Sequence, residues 1–213
     1  MIFKVCGMRN AENIRALWSL EPSHIGMIFY EDSSRYVEEE LTGFPFHSKD
    51  SNPINTGVFV DASLKYIRSK IKSFKLRSIQ LHGQESPDLC QSLKEEGMQV
   101  IKVFPIGEDF DFAKLKPYLG VVDYFLFDTK GAKHGGNGVV FDWRILDNYK
   151  EEIPFILSGG LSMENLDSIK DFFKQDRSKR CVGLDLNSGF EILPGLKDIE
   201  LIKNFKTQLY ADS

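Results

Sequence analysis

The sequence predicts an α/β protein with the (β/α)8 TIM barrel fold, in which residues 1–213 form a single domain. One observation behind this prediction is that short apolar runs alternate eight times with stretches of helical character. Another is that the glycine-rich turns follow the sixth, seventh and eighth apolar runs. The first run is followed by CGMRN instead of GxGxxG, which favours a closed barrel over an open dinucleotide-binding sheet.

The apolar runs are nearly continuous, as expected for parallel strands buried on both faces. They predict strands at 2–7, 24–30, 57–62, 77–83, 98–104, 121–128, 153–160 and 181–189. Helices are predicted at 10–19, 34–41, 63–74, 87–96, 110–119, 142–149, 162–174 and 196–208. Ser86-Pro87 and Ser162 are typical helix starts, and Gly97 is a typical stop. The irregular segment 42–55 is predicted to be a surface loop.

Charge and hydropathy exclude several classes of partner. The net charge of −4 gives no global attraction to nucleic acid or acidic membranes, whereas a small anionic substrate needs only a local basic site. No apolar run approaches the roughly 18 residues of a membrane span. No long exposed apolar helix is evident, which favours a monomer.

The cysteines and histidines predict neither a metal site nor a disulfide framework. Cys6, Cys90 and Cys181 form no CxxC pair, and the four histidines are scattered along the chain. The N-terminus MIFKVCGMRN lacks the apolar core of a signal peptide. We therefore expect a cytoplasmic protein without a cofactor.

A thiol and a carboxyl group are the leading candidates for chemistry. Cys6 ends the first predicted strand, and Asp128 ends the sixth, directly before a loop with three glycines in four positions. Barrel active sites are assembled at these carboxyl ends, so the two groups are expected to face a shared cavity and transfer protons. As a base, Cys6 needs a pKa lowered by nearby positive charge, for which Arg9 is one candidate. The alternatives are a buried apolar role for Cys6 and a capping role for Asp128.

Two glycine motifs predict a phosphate site. SGGL (158–161) and NSG (187–189) follow the seventh and eighth strands, where barrels frequently bind phosphate. Gly159, Gly160 and Gly189 let backbone N–H groups approach an anion, and Ser188 adds a hydroxyl donor. Each motif alone is weak, because glycine turns are common.

Three further residues have open roles. Lys4 has inward parity and needs a buried partner, for which Asp185 on the adjacent eighth strand is the natural candidate. Asp185 is also a candidate substrate-binding residue. Arg35 either faces solvent on its helix or clamps a carboxylate at the barrel mouth. His82 ends the fourth strand and is either structural or a substrate contact.

The chain resembles the phosphoribosylanthranilate isomerase family, whose members are TIM barrels of tryptophan biosynthesis. The matching stretches run from residue 4 to 198: KVCGMRN, SSRYV, GVFV, QLHGQE, FDTKGAKHGGNGVVFDW, SGGLSMENL and GLDLNSGFEILPGLKD. This resemblance implies a cofactor-free Amadori rearrangement of N-(5-phosphoribosyl)anthranilate to 1-(2-carboxyphenylamino)-1-deoxyribulose 5-phosphate.

The resemblance also implies roles for single residues. Cys6 matches the general base that removes the C2′ proton, and Asp128 matches the general acid that protonates the furanose ring oxygen. Arg35 falls where the family holds the anthranilate end of the ligand, and the glycine motifs match the phosphate cradle. The chain departs from the family pattern at Arg9 and Asn137, where threonine is common.

Two other functions remain open at this point. One is another sugar-phosphate barrel enzyme, such as ribulose-phosphate epimerase or indole-glycerol-phosphate synthase. The other is a barrel that binds a phosphosugar without transforming it.

Overall fold

Eight parallel strands close into a barrel, as the sequence predicts. The computed structural model describes residues 1–38, 41, 53–129 and 142–211. Each strand pairs with the next along the chain, and the last pairs with the first. The strands are β1 (Ile2–Val5), β2 (His24–Ile28), β3 (Ile54–Phe59), β4 (Ser78–Leu81), β5 (Gln99–Ile106), β6 (Tyr124–Thr129), β7 (Phe155–Leu157) and β8 (Cys181–Leu186).

Five α-helices lie between or after these strands in the described ranges. They are α1 (Ala11–Trp18), α2 (Leu64–Phe74), α3 (Pro87–Glu95), α4 (Leu166–Phe173) and α5 (Ile199–Tyr210). The start predicted at Ser86 is confirmed, because its side chain accepts a hydrogen bond from the Leu89 N–H with Pro87 in the first turn. Ser162 begins a short 3-10 helix, Met163–Asn165, that leads into α4.

Three predicted helices differ from the structure. Those at 110–119 and 142–149 are 3-10 helices, Phe112–Tyr118 and Trp143–Asn148. Pro117 within the former lacks an N–H for an α-helical bond. The helix predicted at 34–41 is wrong over the described residues up to 38, which form a turn, an isolated bridge at Tyr36 and a bend. The Val37 N–H there donates to the Ile28 carbonyl at 2.8 Å, so the chain follows β2.

An unpredicted hairpin follows β8. It consists of β9 (Glu191–Leu193) and β10 (Leu196–Lys197), so the prediction of a helix from 196 is wrong at its start. Gly195, at φ +84°, makes the turn between the two strands.

Some predicted features lie largely outside the described residues. The segment 42–55 is described only from 53, and its last two residues belong to β3. The glycine-rich loop after β6, which includes Asn137, also lies outside the described ranges.

Apolar side chains form two layers of core. One layer packs the outer faces of the strands against the helices. The smaller layer fills part of the barrel interior with Ile101, Val103, Leu126 and Ile156. The rest of the interior is polar, since Lys4, His24, Thr56, Gln80 and Asp185 are all buried. None of the helices in the described ranges has the length and apolar character needed to span a bilayer.

Candidate active site

Cys6 lies at the carboxyl end of β1 and is 3% exposed. Its N–H donates to the Leu186 carbonyl at 2.8 Å, which holds it beside β8. On the other side, a Cβ at Gly26 of β2 would lie only 2.7 Å from the sulfur. The thiol is therefore packed between the first two strands, and a side chain at Gly26 would displace it.

The environment of the thiol differs from the expectation of a lowered pKa. Burial raises the pKa of Cys6 above its ordinary value, and the charge of Asp185 raises it further. The charges of Lys4 and Lys197 lower the pKa of Cys6 without overcoming burial. Among the described residues, the charges that lower the pKa of Cys6 belong to Lys4 and Lys197. The Arg9 guanidinium instead donates to the Ser34 carbonyl at 3.3 Å.

Lys4 and Asp185 form the buried ion pair that the sequence predicts. They occupy paired positions on β1 and β8, and Nζ lies 2.7 Å from Oδ2. Burial alone would lower the pKa of Lys4, but Asp185 and Cys6 raise it above its ordinary value. Burial raises the pKa of Asp185, and the charge of Asp128 adds to this effect. Asp185 therefore interacts electrostatically with Cys6 as well as with Asp128.

Asp128 ends β6 beside His82, so the structure brings these two predicted residues together. Asp128 Oδ2 lies 3.5 Å from His82 Nε2, and their side chains are 28% and 38% exposed. The Thr129 N–H donates to the other carboxylate oxygen at 3.0 Å. A partly exposed carboxyl group beside an imidazole is suited to exchange protons with a ligand at the barrel mouth.

Gly159 makes room for this carboxyl group. It has φ +83°, and a Cβ there would lie 2.4 Å from Asp128 Oδ1 and 2.3 Å from the Thr129 nitrogen. The sequence predicts a phosphate contact at Gly159, but the structure places this glycine against the end of β6. Position 159 therefore requires glycine, because any side chain there would clash with Asp128.

A buried ion pair holds the loop that carries His82. Glu85 Oε2 lies 3.1 Å from Lys102 Nζ, and Glu85 Oε1 accepts hydrogen bonds from the N–H groups of Asp61 and Gly83, both at 3.0 Å. Lys102 also donates to the Gly83 carbonyl at 2.9 Å. This loop is thus fixed from both sides by charge-assisted bonds.

The other three predicted phosphate residues share one cavity. Gly160, Ser188 and Gly189 line a cavity of about 350 Å³ together with residues 161–164 and Leu201. A Cβ at Gly189 would lie 2.2 Å from the Leu161 carbonyl oxygen, so the two loops meet too closely for any side chain at this position. The cavity is large enough for a phosphate group and is bordered by two 3-10 helix starts.

Arg35 lies in a turn, not on the predicted helix, and its side chain is only 15% exposed. Its Nε donates to Glu191 Oε1 at 2.9 Å, and its Nη2 donates to Oε2 at 2.6 Å. The predicted bidentate clamp on a carboxylate is present, but its partner is a residue of the hairpin. The solvent-facing alternative is therefore wrong.

Glu191 and Lys197 are charged residues of this region that the sequence analysis missed. Glu191 Oε1 also accepts from Lys197 Nζ at 2.6 Å, and Lys197 Nζ donates to Asn187 Oδ1 at 2.8 Å. The sequence does contain a signal for the hairpin that carries them: Pro194-Gly195 lies between apolar residues, and such a pair is typical of a turn. Among the described residues, no group of three or more His, Cys, Asp or Glu could hold a metal ion.

Comparisons with known proteins agree with this geometry. The family model for N-(5'phosphoribosyl)anthranilate (PRA) isomerase matches residues 3–208. The N-(5'-phosphoribosyl)anthranilate isomerase of Parabacteroides distasonis is 49% identical over 210 residues, which cover 98% of this chain and 93% of that protein.

Solved structures of phosphoribosyl anthranilate isomerases are similar over the whole barrel. The enzyme from Thermotoga maritima is 30% identical, with a TM-score of 0.83 and coverage of 99% of this chain and 100% of that chain. A second isomerase structure is 28% identical, with a TM-score of 0.80 and the same coverage. It contains reduced 1-(o-carboxyphenylamino)-1-deoxyribulose 5-phosphate.

Proposed function

Because this chain belongs to the N-(5'-phosphoribosyl)anthranilate isomerase family, we propose that it converts N-(5'-phosphoribosyl)anthranilate into 1-(2-carboxyphenylamino)-1-deoxyribulose 5-phosphate in tryptophan biosynthesis. The observation that carries this proposal is the placement of Cys6 and Asp128 at the carboxyl ends of β1 and β6. Both groups border the end of the barrel that also holds the cavity at Gly160 and Ser188.

Asp128 is the general acid in this proposal. It protonates the furanose ring oxygen, the C1′–O bond breaks, and the nitrogen lone pair forms a C1′=N bond. Its partial exposure and its neighbour His82 at 3.5 Å support this role, since the proton must be replaced after each turnover.

Cys6 is the general base. As a thiolate it removes the C2′ proton, and the electron pair of the C–H bond forms an enolamine that neutralises the C1′=N⁺ centre. The enolamine then becomes the ketone by taking a proton at C1′ and losing the hydroxyl proton at C2′. Substrate and product are isomers, so no oxidant, reductant or cofactor is consumed.

The ends of the ligand are held by separate groups. The cavity at Gly160, Ser188 and Gly189 is the phosphate site, because glycine backbone N–H groups and a serine hydroxyl line a space of about 350 Å³. The Arg35 guanidinium is the candidate for the anthranilate carboxylate, with Nε and Nη2 oriented by Glu191 and Nη1 as the donor to the ligand. Asp185 acts on the ligand indirectly, through its charge on Lys4 and Cys6.

The experiment that tests this function uses the purified chain and freshly generated phosphoribosylanthranilate. Loss of substrate fluorescence at a rate proportional to enzyme concentration is the expected result. Binding of a product analogue without any turnover would instead identify a phosphosugar-binding barrel and contradict the proposal.

Two further properties belong to this proposal. The three free cysteines fit a reducing compartment, which supports the cytoplasm as the site of action. A monomer is proposed because the large exposed apolar side chains of the described residues are few and mostly separated. Light scattering coupled to size exclusion tests the second point, and a mass of twice the chain would contradict it.

A further inference from the structure

Lys197 is a fully buried lysine that the proposed reaction does not use. Its ammonium donates to Asn187 Oδ1 at 2.8 Å and to Glu191 Oε1 at 2.6 Å. A Cβ at Gly7 would lie 3.3 Å from Nζ, so the ammonium lies against the backbone of the residue that follows Cys6. Burial of a lysine is costly, and its place beside Cys6 calls for an explanation.

The position of Lys197 is fixed at its backbone as well as at its side chain. The Lys197 N–H donates to Asn13 Oδ1 at 2.8 Å, and Asn13 Nδ2 donates to the Lys197 carbonyl at 2.9 Å. This reciprocal pair ties β10 to α1. The ammonium therefore cannot move far from Gly7 without breaking buried hydrogen bonds.

The charges around the thiol divide into two groups. Lys4 on β1 is paired with Asp185 on β8 at 2.7 Å, and together they carry no net charge. Lys197 shares the single carboxylate of Glu191 with Arg35, whose guanidinium also pairs with it at 2.6 Å. Two cations and one anion leave this second group with one net positive charge.

The effects of these charges on the pKa of Cys6 agree with the division into two groups. Among the described residues, the charged groups that act on it are Lys4 from β1, Asp185 from β8 and Lys197 from β10. Lys4 and Lys197 both lower the pKa of Cys6, whereas Asp185 raises it. Burial lowers the pKa of Lys197 below its ordinary value, and the charges of Glu191 and Cys6 oppose this shift, so the interaction between Lys197 and Cys6 is mutual.

We propose that Lys197 is a positioning residue for the general base: its ammonium balances the negative charge on the Cys6 sulfur once the thiol has released its proton. Glu191 holds the ammonium in place and sets how much of its charge remains uncompensated. The inference rests on the proposed function, in which Cys6 acts as a thiolate. It assigns a role to a residue that the proposed reaction does not otherwise use.

Two substitutions with opposite expected effects test this role. Lys197→Met removes the positive charge and should raise the apparent pKa of Cys6 by about one unit or more. Glu191→Gln removes the counter-charge of Lys197, so it should lower the apparent pKa of Cys6 over the pH range in which Lys197 stays protonated. A merely structural role would shift the pKa of Cys6 in the same direction in both variants, because both break the Lys197–Glu191 ion pair.

The measurement is the rate of Cys6 alkylation by iodoacetamide as a function of pH, resolved by peptide mass spectrometry without substrate. Lys203→Met, an exposed lysine on α5, is the matched control and should leave the profile unchanged. The pH profile of kcat/KM should shift in the same directions. Alkylation needs no turnover, so it tests the role of Lys197 even if the proposed function is wrong. The turnover of the wild-type chain tests the proposed function separately.

An unchanged alkylation profile in Lys197→Met, or upward shifts in both variants, would overturn the proposal. If Lys197→Met does not fold, Glu191→Gln decides alone. A downward shift then supports the role of Lys197, and an unchanged or upward shift contradicts it.

Discussion

Lys4 and Asp185 form a buried ion pair that connects the two proposed proton-transfer groups. Their charged atoms lie 2.7 Å apart at paired positions on β1 and β8. Cys6 is two residues beyond Lys4 on the same strand, and the charge of Asp128 acts on Asp185. The pair therefore interacts electrostatically with both the thiol and the carboxyl group. Part of the barrel interior around it is apolar.

Removal of one member of this pair should destabilise the fold strongly. Lys4→Met leaves the Asp185 carboxyl group buried without its cation, which should lower the free energy of unfolding by about 3–5 kcal/mol. Urea denaturation at pH 7 measures this change. The matched control is Arg68→Ala, which breaks the more exposed pair with Glu96 and should cost less than about 1 kcal/mol. Equal changes in the free energy of unfolding would show that burial of the Lys4–Asp185 pair does not increase the cost of breaking it.

His24 should make the fold sensitive to mild acid. Burial lowers the pKa of His24 from its ordinary 6.5 to about 4, although the hydrogen bond to Gln99 at 2.8 Å opposes the shift. Between these pH values the unfolded chain binds a proton that the folded chain excludes. The free energy of unfolding should therefore be unaffected above about pH 6.5 and should fall by about 3 kcal/mol as the pH drops to 4.

The variant His24→Gln isolates this contribution. It cannot take up the proton, so the difference in stability between variant and wild type should change by about 3 kcal/mol between pH 7 and pH 4. Urea midpoints over this range provide the measurement. A difference that is independent of pH would contradict a buried neutral His24.

Gly189→Ala should weaken binding of the phosphate group. The new methyl group would lie 2.2 Å from the Leu161 carbonyl oxygen, so the two loops that line the cavity must separate. We expect KM and the inhibition constant for inorganic phosphate to rise about tenfold or more, with a smaller change in kcat. Gly97→Ala is the control for a strained glycine substitution away from the cavity, since Gly97 has φ +80° and a Cβ there meets no atom within 4 Å, and it should leave phosphate inhibition unchanged. Unchanged phosphate inhibition in Gly189→Ala would remove the cavity from the binding site.

Arg35→Lys should affect substrate binding more than the chemical step. The single ammonium of a lysine cannot bind Glu191 through two parallel bonds and also bind the anthranilate carboxylate, so KM should rise about tenfold with kcat within a few-fold of wild type. Steady-state kinetics measure both constants. Arg144→Lys, at an exposed arginine paired with Asp142, should leave them unchanged. A fall in kcat alone would argue against a binding role for Arg35.

The sequence predicts the parts of the site that depend on strand order and parity. Lys4 and Asp185 are found as a pair because inward-facing residues of the first and last strands must meet when the barrel closes. His82 and Asp128 are likewise expected at the mouth because both follow apolar strand residues. Gly160 and Gly189 share a cavity because their strands are neighbours.

Contacts between distant loops are beyond such reasoning. Arg35 meets Glu191 across 156 positions of sequence, and that contact depends on a hairpin that sequence periodicity does not show. The helix predicted around Arg35 fails because backbone pairing with β2 overrides local preference. The pKa of Cys6 depends on burial by β2 and β8, which no local motif reveals.

The turnover of Asp128→Asn and Cys6→Ser tests proton transfer by these two groups most directly. Each should reduce kcat/KM by about 10²-fold or more while circular dichroism and urea midpoints stay close to wild type. Asp123→Asn, just before β6, and Cys181→Ser, at the opposite end of β8, are the matched controls and should retain activity. Near-normal turnover in both Asp128→Asn and Cys6→Ser would contradict proton transfer by this thiol and this carboxyl group.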